Sequence, residues 1–137
     1  MSEFTCVEAK SRFRAIRWTV EHLGLPKGFE GHFVGYSLYV DEVMDMSGCR
    51  EEYILDSTGK HVAYFAWCVS CDIHHKGDIL DVTSVVINPE ADSKGLQRFL
   101  AKRFKYLAEL HDCDWVDRKS TRLNSSHNVI SRMPSSA

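Results

Sequence analysis

The hydrophobic period of the sequence changes at Pro89, and this change constrains the fold more than any other feature. Residues 79–88 alternate with a period of two, which is typical of a strand. Pro89 ends that strand because proline cannot donate a ladder hydrogen bond. After a polar loop at residues 90–95, apolar residues recur at helical spacing, and a new strand begins at Trp115. Because a strand, a helix and a strand in succession normally form a right-handed parallel unit, we expect the last two strands to be parallel neighbours.

The strand and the helix on either side of Pro89 each have an apolar side. In the strand, alternation predicts two faces, one with Leu80, Val82, Ser84 and Val86 and the other with Asp81, Thr83, Val85 and Ile87. In the helix, the predicted apolar stripe consists of Leu96, Leu100, Phe104, Leu107 and Leu110 or His111. We therefore expect the helix to lie with this stripe against the sheet.

The residues before this unit predict a meander preceded by helices. Residues 61–69 are apolar on both faces, as in a central strand, and a hairpin turn signal at residues 57–60 joins them to a strand at residues 52–55. A break at residues 75–78 separates them from the next strand. Nearer the N-terminus we expect a short strand, a helix from Ser11 to its end at Gly24, and a second helix within residues 36–46.

Composition excludes several classes of protein. The 137 residues carry 17 basic and 19 acidic side chains, which excludes a polybasic nucleic-acid binder, and no apolar run is long enough to cross a membrane. Glu3 and Glu8 without an apolar block between them argue against a secretory signal. An odd number of cysteines, five, favours reduced thiols, so we expect a cytoplasmic protein.

Residues 117–137 differ in composition from the rest of the chain. They contain six serines in 21 positions and no aromatic residue, as a natural disordered tail would. However, DRKSTRLNSSH and ISRMPSSA back-translate into strings that resemble a sequencing adapter. We therefore expect a domain at residues 1–116, incomplete at its C-terminus, and a disordered non-native tail at residues 117–137 without core contacts. Without that tail, 13 basic and 18 acidic residues remain, a net charge of −5.

The start of the helix after Pro89 is a candidate anion site. Backbone N–H groups in the first helical turn have no intrahelical partner, and the helix dipole favours negative charge there. Gly95 permits close approach of a ligand, and Lys94, Arg98 and Lys102 add positive charge near the same end. The alternative is that Asp92 or Ser93 serves only as a helix cap.

Residues 87–100, INPEADSKGLQRFL, resemble the acetyl-CoA signature of the GNAT superfamily of N-acetyltransferases. Its proline, Gly95, Leu96, Arg98 and Leu100 are in register, and the order of elements over residues 1–116 also matches. The resemblance implies an α/β fold with a mixed, mainly antiparallel sheet and flanking helices, here missing the last helix and strands. Asp92, where the family usually has Arg or Gln, and Gln97, where it has Gly or Ala, depart from the signature.

The same resemblance implies which residues bind the co-substrate acetyl-CoA. Main-chain groups of three strand residues would contact the acetyl and pantetheine arm, and the loop and helix start would bind the pyrophosphate. Backbone donors would survive the departures at Asp92 and Gln97, so binding would be weakened and still persist. The implied binding residues are Val85, Val86, Ile87, Asp92, Ser93, Lys94, Gly95, Leu96, Gln97 and Arg98.

Asp81 is the candidate general base. In the histone-acetylating branch of the superfamily, a glutamate on the fourth strand deprotonates the amine, and Asp81 falls at that position. A carboxylate on a mostly apolar strand is a group whose pKa burial can raise toward neutrality. The alternative is that Asp81 faces solvent at a strand end. The tyrosine that many members use to protonate the leaving thiolate would follow the fifth strand and is absent here, so we expect this chain itself to be inactive.

Other candidate sites are disfavoured. Cys68 and Cys71 with His74 and His75 suggest a metal site, but residues three apart on a strand point to opposite faces and no second ligand pair is present. We expect no metal, buried cysteines and tryptophans in the core. The histidines near the hairpin end either line an amine pocket or are simply exposed.

The sequence thus predicts an N-acetyltransferase that transfers an acetyl group from acetyl-CoA to an amine of a small molecule or peptide. We expect neither nucleic acid nor a membrane as a partner, and the sequence does not define the oligomeric state. Two alternatives stay open: a non-catalytic GNAT-like binding or structural module, and a generic βα domain without nucleotide affinity. In the second, the fourth and fifth strands would not splay apart.

Overall fold

A computed structural model describes residues 3–120 and 129–134 and contains a single mixed sheet flanked by helices on both faces. The strands stand in sequence order across the sheet, all antiparallel except β4 and β5. The parallel pairing expected around Pro89 is therefore confirmed, as is the mixed, mainly antiparallel α/β class. The strands are β1 (Thr5–Glu8), β2 (Arg50–Leu55), β3 (His61–Asp72), β4 (His75–Ile87), β5 (Cys113–Ser120) and β6 (Val129–Pro134).

Local signals in the sequence set the three helices. The Ser11 side chain accepts a hydrogen bond from Arg14 N at the start of α1, and Gly24 ends that helix with its N–H bonded to Val20 O. At the start of α3, Ser93 caps in the same way. The helices are α1 (Arg12–Leu23), α2 (Phe33–Ser47) and α3 (Lys94–Leu110), so α2 is longer than the sequence predicted.

Helix α3 covers one face of the sheet, called here the α3 face. Its expected stripe is buried as far as Leu107, but Leu110 is 58% exposed, and His111 turns toward Trp67 with 5.1 Å between ring centroids. Phe65 of β3 meets Phe104 edge to face at 5.0 Å between centroids. The main core of the protein therefore lies between α3 and strands β2 to β5.

Helices α1 and α2 cover the other face, called here the α1/α2 face, less completely. Its buried cluster consists of Ala15, Tyr64, Ala66 and Val86. Ser37 is the residue of α2 that is fully buried, whereas Val34 and Met46 are 70% and 81% exposed. This face is therefore less tightly packed than the α3 face.

A β-bulge at Thr83 corrects the expected alternation of β4. Val82 lies opposite Trp67 and Ser84 opposite Ala66, so Thr83 is an extra residue without a Cα partner in the β3 register, although its side chain donates to Ala66 O. The bulge reverses the alternation. Leu80 and Val82 face α3 with Val85, while Val86 faces α1. The prediction of one face with Leu80, Val82, Ser84 and Val86 is therefore wrong.

The break expected at residues 75–78 is also wrong. β3 and β4 are joined by a tight turn at Ile73 and His74, and β4 already begins at His75. Gly77 is a strand residue with φ of 99°, and a side chain there would collide with the Asp114 carboxylate. Its glycine is required for this close approach to β5, and it is not a turn signal.

The chain after Val116 differs from the expected disordered tail. β5 continues through Asp117 to Ser120, and β6 pairs antiparallel with it from Trp115↔Pro134 to Ser120↔Val129. Hydrogen bonding to the free edge of β5 accounts for this pairing. The expectation of a tail wholly without structure therefore does not hold for residues 117–120 and 129–134. Among the described residues, no helix is both long and apolar enough to cross a membrane.

Candidate active site

Strands β4 and β5 separate partway along their length. Their parallel ladder runs from Asp78↔Cys113 to Val82↔Arg118, whereas β4 continues to Ile87 alongside β3. In the described chain, the second half of β4 therefore has no ladder partner on its β5 side. This opening excludes the generic βα arrangement, in which the two strands would stay together.

The three residues expected to bind the acyl arm line this opening. Val85, Val86 and Ile87 pair with Phe65, Tyr64 and Ala63 of β3, so their cross-strand contacts on that side are fixed. Val85 and Val86 are buried and Ile87 is partly buried. Main-chain groups on the β5 side of this segment are left available to hydrogen-bond an extended ligand.

The opening leads directly to the start of α3. Asn88 is buried and its side chain accepts a hydrogen bond from Glu90 N, which holds the single 3-10 turn Pro89–Ala91. Ser93 Oγ then accepts from Leu96 N at 3.1 Å. The chain is thus held at both ends of the polar loop.

The first turn of α3 presents unused donors. Gln97 N donates to Ser93 O and Leu96 N to Ser93 Oγ, while the hydrogen bonds recorded for the described residues include none from Lys94 N or Gly95 N. These two N–H groups point out of the helix start, where the dipole favours an anion. They open on a shallow depression of about 500 Å³ lined by Asp92, Ser93, Lys94, Gln97 and Arg98.

The two residues that depart from the signature bind each other. Gln97 Nε2 donates to Asp92 Oδ1 at 2.9 Å, and Gln97 Oε1 accepts from an Arg118 guanidinium nitrogen at 3.1 Å. The Asp92 carboxylate, which would face an anion at this helix start, is therefore hydrogen-bonded to the Gln97 amide. Through Gln97 it is linked to the positively charged Arg118.

A second groove adjoins this depression and was not foreseen from the sequence. It has a volume of about 900 Å³ and shares Arg98 with the depression, then extends between β1 and α3 past Phe4, Phe99 and Lys102. Phe4 and Phe99 lie 5.8 Å apart between ring centroids. Only the long-range packing of β1 brings Phe4 here, so no local signal could have indicated it.

Asp81 lies one position before the last β4–β5 pair. Its Cα partners are Cys68 on β3 and Asp117 on β5, and all three residues belong to the α1/α2 face because of the bulge at Thr83. Asp81 is half-buried rather than fully exposed at a strand end. The structure therefore places a carboxylate at the inner end of the opening.

A separate pocket of about 740 Å³ lies on the α1/α2 face. Trp18 stacks on His61 at 4.0 Å between centroids, so it lines this pocket while also packing, partly buried, against the core cluster of this face. His61 Nε2 donates to Ala63 O at 2.8 Å, and burial lowers the pKa of His61 to about 4. Arg14 and Arg17 stand at its rim.

The remaining expected residues are dispersed. His74 is exposed in the β3–β4 turn, and the side chain of His75 lies outside the described set. Trp67 is buried and donates to Glu52 Oε2 at 2.7 Å. Cys68 is half-buried and Cys71 is exposed, not buried as expected. In the described residues, no three His, Cys, Asp or Glu side chains are grouped so that they could hold a metal ion.

Comparisons with known proteins identify a relative and a set of structural neighbours. No family model matches the sequence. Over 118 residues the chain is 99% identical to Protein 7 of Escherichia phage T7. The aligned region covers 86% of this chain and 89% of that protein.

The structural neighbours are acetyltransferases. A GNAT family acetyltransferase of Staphylococcus aureus aligns with a TM-score of 0.58 at 13% identity, covering 94% of this chain and 95% of that one. A Pyrococcus furiosus protein provisionally named an acetyl transferase gives 0.64 at 10%, covering 90% and 86%. A chimera of the Vibrio cholerae spermidine N-acetyltransferase SpeG and hSSAT gives 0.59 at 16%, covering 85% and 70%. The chain therefore belongs to the family of Protein 7 of Escherichia phage T7, and its fold is that of the GNAT acetyltransferases.

Proposed function

We propose that the protein is an acetyl-CoA-dependent N-acetyltransferase that acts on an amine of a small molecule or peptide. The observation that supports this most strongly is the separation of β4 from β5 after Val82, which leads without interruption to the open start of α3. One continuous surface thus offers main-chain donors and acceptors for an extended arm and N–H groups for a phosphate.

The residues present fit acetyl-CoA. When bound, acetyl-CoA supplies an activated thioester carbonyl to an attacking amine. The main-chain edge of Val85, Val86 and Ile87 would hold the pantetheine arm, because that edge is not used by β5. The N–H groups of Lys94 and Gly95, with the positive charge of Arg98, would hold the pyrophosphate.

Asp81 is proposed to deprotonate the acceptor ammonium. The amine must lose a proton before it attacks, and Asp81 is half-buried at the inner end of the opening, where the arm would end.

The first test is CoA binding to a glycine variant. In Gly95→Ala, the added Cβ meets nothing closer than 3.8 Å, so the helix stays intact, but the methyl group blocks close approach of a pyrophosphate. We expect CoA affinity, measured by calorimetry, to fall about tenfold or more, while stability is unchanged or rises by about 0.5 kcal/mol. Gly35→Ala in α2, with its nearest neighbour also at 3.8 Å, is the matched control and should leave affinity unchanged. A wild-type chain without CoA affinity would refute the proposal.

The second test concerns the general base. In the protein with its natural C-terminal segment in place of residues 117–137, Asp81→Asn should lower kcat for acetyl transfer by about 10²- to 10⁴-fold and leave CoA affinity unchanged, because the amide cannot accept the proton. The matched control is Asp78→Asn, an exposed position on the same strand. Equal rates in the two variants would exclude Asp81 as the base.

A non-catalytic GNAT-like module is the second candidate. The hydrogen bond from Gln97 to Asp92 favours it, because it occupies part of the depression in which a phosphate would sit. In that case Asp92→Arg combined with Gln97→Ala would create CoA affinity that the wild-type chain lacks. In the enzyme, the same double variant would only strengthen existing binding.

We also infer that residues 117–137 are translated adapter following an acyltransferase domain at residues 1–116. The codon match supports this, although the match to Protein 7, at 118 residues, is two residues longer than the segment before Asp117. Resequencing the parent nucleic acid with the adapter trimmed tests it. A natural reading frame that still encodes DRKSTRLNSSH would overturn it.

A further inference from the structure

Two thiols face each other across β2 and β3 on the α1/α2 face. Arg50 of β2 lies opposite Trp67 of β3, so the antiparallel register continued by one residue puts Cys49 opposite Cys68. Directly opposed residues have Cα atoms roughly 4.5–5.5 Å apart, within the range of about 4.4–6.8 Å that disulfides span. Cys49 is also near enough to Cys68 to raise the pKa of the Cys68 thiol.

The surroundings of this pair leave room for a reaction. Cys49 and Cys68 are both half-buried, so a small reagent can reach them. Cys49 Sγ lies 3.8 Å from Thr83 Oγ1, a weak contact that costs little to break. The polar neighbours of the two sulfur atoms thus do not hold them apart.

The other cysteines are differently placed. Cys6 donates to Glu52 Oε1 at 2.6 Å, and Cys113 is buried and donates to His111 O. Cys71 is exposed, but it is three residues from Cys68 on the same strand and therefore points to the opposite face. Among the described cysteines, the geometry of a disulfide is met by Cys49 with Cys68.

We propose that Cys49 and Cys68 form a dithiol that a low-molecular-weight disulfide, such as oxidised glutathione, converts into an intramolecular disulfide. The Cys49 thiolate attacks one sulfur of the reagent, forms a mixed disulfide and releases one glutathione thiolate. The Cys68 thiol loses its proton to solvent, and its thiolate attacks the Cys49 sulfur and releases the second glutathione. The pair loses two electrons and two protons, and the reagent is reduced to two glutathione molecules.

Electrostatics set the order and the pH dependence of these steps. Burial, together with the neighbouring Cys49 and Asp81, raises the pKa of Cys68 to about 12. The Cys68 thiolate is therefore scarce at neutral pH, which assigns the first attack to Cys49 and makes the second step slow. The rate of ring closure should rise as the pH is raised above neutrality.

The bond would link the short segment between α2 and β2 to the adjacent strand β3. Cys49 directly follows Gly48, which ends α2, while Cys68 belongs to central strand β3. A bridge would fix the end of α2 to the sheet and close a loop of about 20 residues. The melting temperature should rise by roughly 10 °C on oxidation.

The experiment is oxidation of the full chain with oxidised glutathione at pH 7 and pH 9, followed by peptide mapping without reduction. We expect a linked peptide containing Cys49 and Cys68, formed faster at pH 9, with a higher melting temperature that dithiothreitol reverses. Cys68→Ser should stop at a glutathione adduct on Cys49, and Cys71→Ser, the control, should still form the bridge. Stable glutathione adducts on both residues of the wild-type chain, or a bridge to Cys71, would overturn the proposal. These results do not depend on acetyl transfer.

Discussion

The two faces of the sheet differ in how completely they are packed, and the difference separates stability from chemistry. On the α3 face, Phe65 and Phe104 are fully buried within one continuous cluster. On the α1/α2 face four small or polar-tipped residues form the buried cluster, and α2 leaves large apolar side chains exposed. Polar links there tie the helices down, with Arg12 of α1 bound to Asp41, Asp45 and Glu51.

The better-packed face positions the candidate anion site. Leu96 and Leu100 of α3 are fully buried, so the first turn of the helix is anchored next to the end of β4. The candidate base and the thiol pair lie on the other face, where fewer apolar contacts oppose local motion. A rigidly held candidate anion site on one face of the sheet thus lies opposite a less tightly packed face.

Truncating one apolar side chain on each face should give the largest contrast. Phe104→Ala removes a buried ring that packs against Phe65 and should cost about 3–5 kcal/mol of unfolding free energy. Leu38→Ala on α2 removes a side chain that is 60% exposed and should change stability by about 0.5 kcal/mol or less. Urea denaturation of both variants measures this. Similar losses would show that the faces are equally packed.

The adjacent acids Glu51 and Glu52 are buried on opposite faces and sharpen the comparison. The Glu52 carboxylate forms an ion pair with Arg103 and also accepts hydrogen bonds from Cys6 and Trp67. Among the described residues, Arg103 forms no ion pair with another acid. Glu51 accepts from Tyr64 OH at 2.7 Å and shares its cation with two other carboxylates.

Neutralising each acid should therefore have unequal effects. Glu52→Gln leaves Arg103 without a countercharge and should cost about 3 kcal/mol. Glu51→Gln leaves Arg12 its other partners and should cost about 1 kcal/mol. Chemical denaturation at neutral pH measures the loss of unfolding free energy in each variant. If Glu51→Gln cost as much as Glu52→Gln, or more, the α3 face would not be the one that depends more on its buried ion pair.

The smallest expected effect is a pH dependence confined to the α1/α2 face. Burial lowers the pKa of His61 from 6.5 to about 4, so the unfolded chain binds this proton first as the pH falls. The contribution of neutral His61 to the free energy of unfolding is complete above pH 6.5 and is lost as the pH falls toward 4. Because His61 is only half-buried, solvent screening limits the effect to about 1–2 kcal/mol.

Thermal melts of His61→Gln at pH 7 and pH 4.5 test this. The difference between the two pH values should be smaller than in the wild-type chain by that amount. His32→Gln, in an exposed residue without a side-chain cap bond, should retain the full wild-type difference. A variant of His61 with an unchanged pH dependence would exclude this residue as the source.

Local signals were sufficient to predict most elements of the fold. Ser11 and Ser93 marked helix starts, Gly24 marked an end, and the change of period at Pro89 gave the parallel pair. What failed depends on pairing between distant residues. Thr83 carries no sequence mark of a bulge, and Gly77 resembles a turn residue until Asp114 of the neighbouring strand is placed beside it.

The candidate site was predictable to a similar extent. The loop and the helix start are contiguous in sequence, so their residues could be named in advance. The hydrogen bond between Asp92 and Gln97 and the contact of Gln97 with Arg118 were not predictable, because they depend on side-chain placement and on β5. Likewise, the cysteine pair considered in the sequence was Cys68 with Cys71, whereas the sheet brings Cys49 to Cys68.

The bulge at Thr83 acts as a one-residue phase shift in β4. The same strand contributes Leu80 and Val82 to the core beneath α3 and Val86 to the opposite face. Deleting this one residue would restore strict alternation and force one half of the strand to exchange faces, which would bury Asp81 under α3 or expel Val85 and Ile87 from it. In this strand the spacing between residues is therefore as restricted as their identities, and an insertion or deletion would be tolerated less well than most substitutions.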